Sequence, residues 1–168
     1  SPHEVDASAA NSSFEDFAAS TASTLAVTDA NALSFVLTGR TFDPLRWMES
    51  TAQGLCAGSA SSEWAMTPSG NSEALTATNF NAQETSFFGS APLAPTKIGN
   101  AVMYVQAAFR KLREMSFTFQ AGTFRSEDLT EISEHITLPS LTQIAVQKET
   151  QPLVWGLRGD GAIVSMVY

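Results

Sequence analysis

The run Ala101–Val105, AVMYV, is apolar at every position, and that continuity limits the fold more than any other feature of the chain. A strand with one wet face alternates apolar and polar residues, so a strand without polar positions must have protein on both faces. After a short stretch bearing Arg110 and Lys111, residues 112–119 (LREMSFTF) form a second run rich in aromatic and apolar side chains. The two runs together predict a hairpin. Beyond it, Ser126 suits an N-cap, Glu127 and Asp128 suit a first turn, and Leu129, Ile132 and Ile136 fall at helical spacing. This pattern predicts one short amphipathic helix over residues 127–135.

The hairpin pattern recurs. Val105-Gln106, five residues and Leu112 are matched by Val146-Gln147, five residues and Leu153, an offset of 41 positions (153 − 112). A weaker copy lies upstream, where Ala57-Gly58, five residues and Trp64 stand 48 positions before Leu112 (112 − 64). Hairpin units repeating at roughly 40 to 50 residues are the mark of propeller blades, because one blade cannot bury both faces without neighbours. The expected architecture is therefore mainly β: antiparallel repeats resembling β-propeller blades in a partial propeller, with one short helix. Trp64, Leu112 and Leu153 are expected at equivalent places, each opening the second strand of its hairpin.

The 168 residues read as a single β-rich module. Residues 1–23 are rich in Ala, Ser, Asn and Asp, with Val5, Phe14 and Phe17 as the anchors, and read as irregular. Leu25, Val27, Leu33, Phe35 and Leu37 alternate around Asp29 and Asn31, which suggests two short strands. Residues 44–51 fit either a helical turn or a strand. Residues 55–67 read as a hairpin of small residues, and residues 69–100 as a polar, Gly- and Pro-punctuated loop carrying Leu75, Phe80, Phe87, Phe88 and Leu93. Residues 153–157 and 162–168 form a last hairpin around Asp160-Gly161, a pair suited to a type I′ turn. Its final strand carries no blunting Lys or Pro, which fits a fragment of a longer propeller protein.

Only 15% of the residues are charged, which leaves large weakly charged surfaces for contact, and the net charge of −8 opposes binding through neutralised phosphates. No apolar run approaches the length of a membrane span, so no membrane partner is expected. His3 and His135 share no face at metal-ligand spacing, and the single Cys56, in a small-residue strand, reads as a buried small hydrophobe. His135 reads as a helix-end cap, and Glu127, Asp128, Glu131 and Glu134 as a solvated acidic face. Arg158-Gly159-Asp160 reads as turn chemistry rather than an adhesive motif. Arg110, Lys111 and Arg113 are too few for a nucleic-acid footprint and suggest a subunit contact. No catalytic, cofactor-binding or metal-binding residue is expected, and no cofactor.

Several segments carry a family resemblance: Glu63-Trp64 after the small-residue strand, LREMSF at 112–117, EDLTEISEHI at 127–136, VWGLRGDGAIVSMVY at 154–168, and SFEDF at 13–17. Together they resemble tail-nozzle, or tail tubular, proteins of short-tailed phages and prophages. The approach to the central hairpin at Pro92 to Pro95 matches only loosely, and the chain is shorter than a full family member. The resemblance implies a non-enzymatic structural protein of the virion, or of the bacterial cytoplasm when expressed from a prophage. It implies a homo-oligomer assembled with other tail subunits in a ring, with DNA only as non-specific cargo of the channel. The alternative is a β-propeller that binds or hydrolyses a sugar or peptide, using polar residues at its central channel.

Overall fold

The computed structural model describes residues 2–9, 15, 17, 28–70 and 73–168. Among them are thirteen strands, all paired antiparallel, and no helix. Strand β1 (Glu4–Ala7) pairs with β2 (Leu33–Val36) in a two-stranded sheet. The next four, β3 (Leu45–Thr51), β4 (Gly54–Ser59), β5 (Glu63–Pro68) and β6 (Phe80–Ser86), form a meander in chain order, here the first sheet. Strands β7 (Thr96–Ile98), β8 (Ala101–Val105), β9 (Leu112–Thr118) and β10 (Thr123–Asp128) repeat it as the second sheet. A third meander has three strands, β11 (Leu141–Gln147), β12 (Leu153–Arg158) and β13 (Ile163–Val167).

Side-chain alternation explains how the sheets stack. Along β8, Val102 and Tyr104 enter a core with Trp47, Cys56 and Ala65 of the first sheet and Met115 and Phe124 of the second. Met103 and Val105 point the other way, into a core with Leu112 of the second sheet and Leu141, Ile144 and Val154 of the third. All five residues of β8 are buried, as the unbroken apolar run requires. The first sheet does the same: Cys56 and Ala65 face the second sheet, while Ala57, Trp64 and Met66 pack with Val5 and Leu37. The first and second sheets thus each supply one wall to each of two cores, and neither could bury both faces alone.

Four expected hairpins are present: the three repeat copies as β4–β5, β8–β9 and β11–β12, and the last hairpin as β12–β13. The repeat is true in register for two of its copies. Ala57 pairs with Trp64 as Val105 pairs with Leu112, but in the third copy Leu153 pairs with Gln147, and Val146 pairs with Val154. The third copy is therefore displaced by one residue, and its buried position is Val154 (3% exposed), while Leu153 is only half-buried. The 44–51 segment is a strand, β3.

The structure overturns four expectations. No helix covers residues 127–135: Ser126, Glu127 and Asp128 belong to β10, paired with Met115, Glu114 and Arg113. Asp128 Oδ1 then accepts from the Thr130 amide and hydroxyl, both at 2.9 Å, which turns the chain at once, and Ser133 N–H bonds back only three residues, to Thr130. Residues 69–100 are not one loop, since β6 and β7 lie within them. Residues 1–23 are not wholly irregular, since Glu4–Ala7 is β1 and Val5 is buried, whereas Phe17 is exposed and Phe14 lies outside the described residues. The upstream strand expected at Leu25 and Val27 also lies outside the described residues, while Leu33 and Phe35 are in β2. The last hairpin does not turn as type I′. Gly161 alone has positive φ (+85°), Asp160 does not, and the Gly161 N–H bonds to Arg158 O at 3.0 Å. A three-residue loop closed by a left-handed glycine gives that pattern.

Candidate functional site

The most ordered polar constellation lies where the first and second sheets meet the segment joining them. Glu63 opens β5 and is 0% exposed. Its carboxylate oxygens accept from Ser86 Oγ at 2.6 Å, from Ser90 Oγ at 3.2 Å and from the Phe88 amide at 3.3 Å. Burial pushes the Glu63 carboxyl above the ordinary glutamate value of 4.5, the three donors and the nearby Tyr104 hydroxyl pulling only partly the other way. Tyr104 of β8, also 0% exposed, faces this carboxyl and Ser126, yet its hydroxyl has no well-formed hydrogen bond. Desolvation, and then the Glu63 charge, raise the Tyr104 phenol as well.

Arg113 of β9, 7% exposed, sits one layer away. Its guanidinium lies 3.4 Å above the Phe88 ring, its Nε donates to Gln106 Oε1 at 2.8 Å, and Nη1 donates to Ser126 O at 3.3 Å. Stacking on the ring and a fork of donors suit arginine in a buried position. Close approach elsewhere makes room for the cluster. A Cβ on Gly58 would collide with Ser90 Oγ and the Trp47 indole, so this position of β4 admits glycine alone without movement.

Outside the cluster, an open groove of about 630 Å³ runs between the edge strands β6 and β10, with residues 83–88 on one wall and 123–127 on the other. Phe87 and Phe88 stand partly exposed there, Phe87 beneath Arg40 at 5.6 Å. A smaller apolar pocket of about 160 Å³ lies between the 130–137 turns and the third sheet, with Leu112, Ile144 and Val154 in its lining.

The residues singled out in the sequence do not converge. Cys56 is buried, with its thiol pushed up to about 12 by desolvation, as suits a small core residue and not a nucleophile. His135 is exposed in a turn, with no helix end to cap. The acidic residues are divided: Lys111 bridges Asp128 at 2.8 Å and Glu134 at 2.7 Å. Burial opposes ionisation of Asp128, but the bonds from Lys111 and Thr130 together hold its carboxyl below the usual 3.8. Arg110, Lys111 and Arg113 form no patch, because Arg113 is buried and Lys111 is engaged. Arg158 and Asp160 pair with each other at 2.5 Å, and Asp160 Oδ1 also takes the Ala162 amide, which is turn chemistry. Among the described residues, no three His, Cys, Asp or Glu side chains come together as a metal ion would need, and no helix is long and apolar enough to cross a membrane.

The Glu63 cluster itself was not legible beforehand. Glu63 and Arg113 stand within the segments that carry the family resemblance, but the donors to Glu63 lie 23 to 27 residues from it, and serines carry no local signal. No family model matches the chain, and no curated protein matches it either. The arrangement can hold a neutral carboxylic acid inside a protein interface.

Proposed function

We propose that the chain is a structural module of a phage or prophage tail, part of the nozzle or tail tube, which works through protein–protein assembly and carries out no chemistry. Its stacked meanders serve in this reading as blades of a β-propeller, with other tail subunits and further copies of the chain ringed about a channel through which DNA passes as non-specific cargo. The module would act in the virion, or in the bacterial cytoplasm when made from a prophage. One observation carries the reading. The outer face of the third sheet presents Trp155 (37% exposed), Leu157, Ile163 and Val167 among uncharged neighbours, while both faces of the second sheet supply walls to cores. An apolar, uncharged sheet face of this kind is made to be covered by protein.

The test has two parts. Sedimentation at micromolar concentration should show self-association that Trp155→Glu abolishes, and a stable wild-type monomer would count against assembly. The gene should lie among phage tail genes, and a gene outside any such cluster would overturn the tail assignment. A second reading, a propeller that binds a sugar or peptide, is favoured by the groove between β6 and β10, where Phe87 and Phe88 offer ring faces beside Gln83, Thr85 and Arg125. Calorimetric binding of an oligosaccharide that is lost in Phe87→Ala would support it.

A further inference from the structure

The segment that carries the chain from β6 to the second sheet is pinned from three sides. Ser90 N–H bonds to Ser59 O at 2.9 Å in the first sheet, Ala91 N–H to Val105 O at 2.8 Å, and Ala107 N–H to Gly89 O at 3.0 Å in the second. Glu63 supplies the side-chain part of this attachment, since its carboxyl takes the Phe88 amide and the Ser90 hydroxyl of the crossing together with Ser86 at the end of β6. None of these donors is charged. The charged or titratable groups facing the carboxyl are Tyr104 from β8 and, behind the Phe88 ring and Ser126, Arg113 from β9. Beyond them Glu84, Arg125 and Glu127 line the outer groove.

We propose that Glu63 is a proton-operated clasp between the first and second sheets, closed when its carboxyl is neutral and loosened when it ionises. Geometry argues for the neutral form. A carboxylic acid has one proton to donate, and the Tyr104 hydroxyl is a fully buried oxygen with no well-formed bond of its own in place to receive it. The three remaining lone-pair sites of the acid serve Ser86, Ser90 and the Phe88 amide. The ionised form would sit at 0% exposure with neutral donors only, because Arg113 is spent on Phe88, Gln106 and Ser126. Relief requires either water to enter or Arg113 to leave those three partners. Phe88 links both routes, its amide bound to Glu63 and its ring to Arg113, so either one frees the crossing and widens the groove. The sign follows from a folded-state value raised above the unfolded one. The stabilising contribution is complete below the ordinary glutamate value of 4.5 and is lost as pH rises through the folded value. This inference stands on the cluster and is independent of the tail assignment.

Carboxyl ¹³C titration of the uniformly labelled full chain reads the group directly, and hydrogen exchange of the Phe88, Ser90 and Ala91 amides, corrected for intrinsic rate, reads the crossing. Glu63 should titrate apart from and above the exposed glutamates, and crossing protection should fall by up to tenfold per pH unit between the ordinary glutamate value of 4.5 and the Glu63 midpoint and level off above it, as opening coupled to loss of one proton requires. In Glu63→Gln, protection should be flat over the same range. Titration of Glu63 together with the exposed glutamates overturns the proposal without any variant, and an unchanged protection slope in Glu63→Gln overturns it as well.

Discussion

Truncating Leu112 tests whether the hairpin repeat is a repeat of burial. Leu112 opens β9, is 5% exposed, and packs in the core shared by the second and third sheets. Leu112→Ala removes three carbons, about 2.4 kcal/mol at ~0.8 kcal/mol per methylene. It also borders the 160 Å³ pocket, so the new space joins an existing void instead of collapsing. A residual ~50 Å³ at about 24 cal/mol per Å³ adds about 1.2 kcal/mol, for a total near 3.6 kcal/mol. The third copy sharpens the test. Because its register is displaced by one, Val154→Ala should cost about 2 kcal/mol and half-buried Leu153→Ala only about 1 kcal/mol. Urea melts followed by tryptophan fluorescence give the order, provided the m-values of the variants agree. A Leu112→Ala loss below about 1 kcal/mol, or a larger loss at Leu153 than at Val154, would refute the argument from stacked sheets and register.

Other outcomes follow from the same structure. Gly58→Ala should destabilise by about 1–3 kcal/mol in a urea melt, since the new methyl must displace Ser90 or the Trp47 ring, and Glu63 loses part of its bonding with them. Glu63→Ala should cost about 2–4 kcal/mol because Ser86, Ser90 and the Phe88 amide all lose their shared acceptor, which a calorimetric scan would show as a lowered Tm. Asp128 has the opposite pH sign to Glu63. Its depressed folded value makes its contribution complete above 3.8 and lost as pH falls through the folded value. Lys111→Met moves that folded value back up, so acid unfolding monitored by circular dichroism should begin at a higher pH than in the wild type.

What was legible in the sequence was whatever is buried on both sides. β8 declared itself because each of its residues is inside, and the small residues of β4 and β5 declared a tight pair of strands. β6, FNAQETS, did not, because an edge strand with a half-wet face needs few apolar side chains. The false helix shows a different failure. Leu129, Ile132 and Ile136 have helical spacing, but only Leu129 packs against a core, and Ile132 is 98% exposed, so no apolar face would repay helix formation. Asp128 and Thr130 meanwhile offer the backbone a local turn. The Glu63 cluster was hidden for a third reason: it is assembled from β5, β6, the crossing and β8, and no stretch of sequence contains enough of it to be read.

The alternation along β8 also bears on how the molecule comes apart. Val102 and Tyr104 serve one core while Met103 and Val105 serve the other, so a slip of one residue would exchange the contents of both interiors at once. Neither interior can open while the other keeps this strand in place, and neither can close until it is seated. The strand therefore makes one cooperative transition of what would otherwise be the separate melting of two layers.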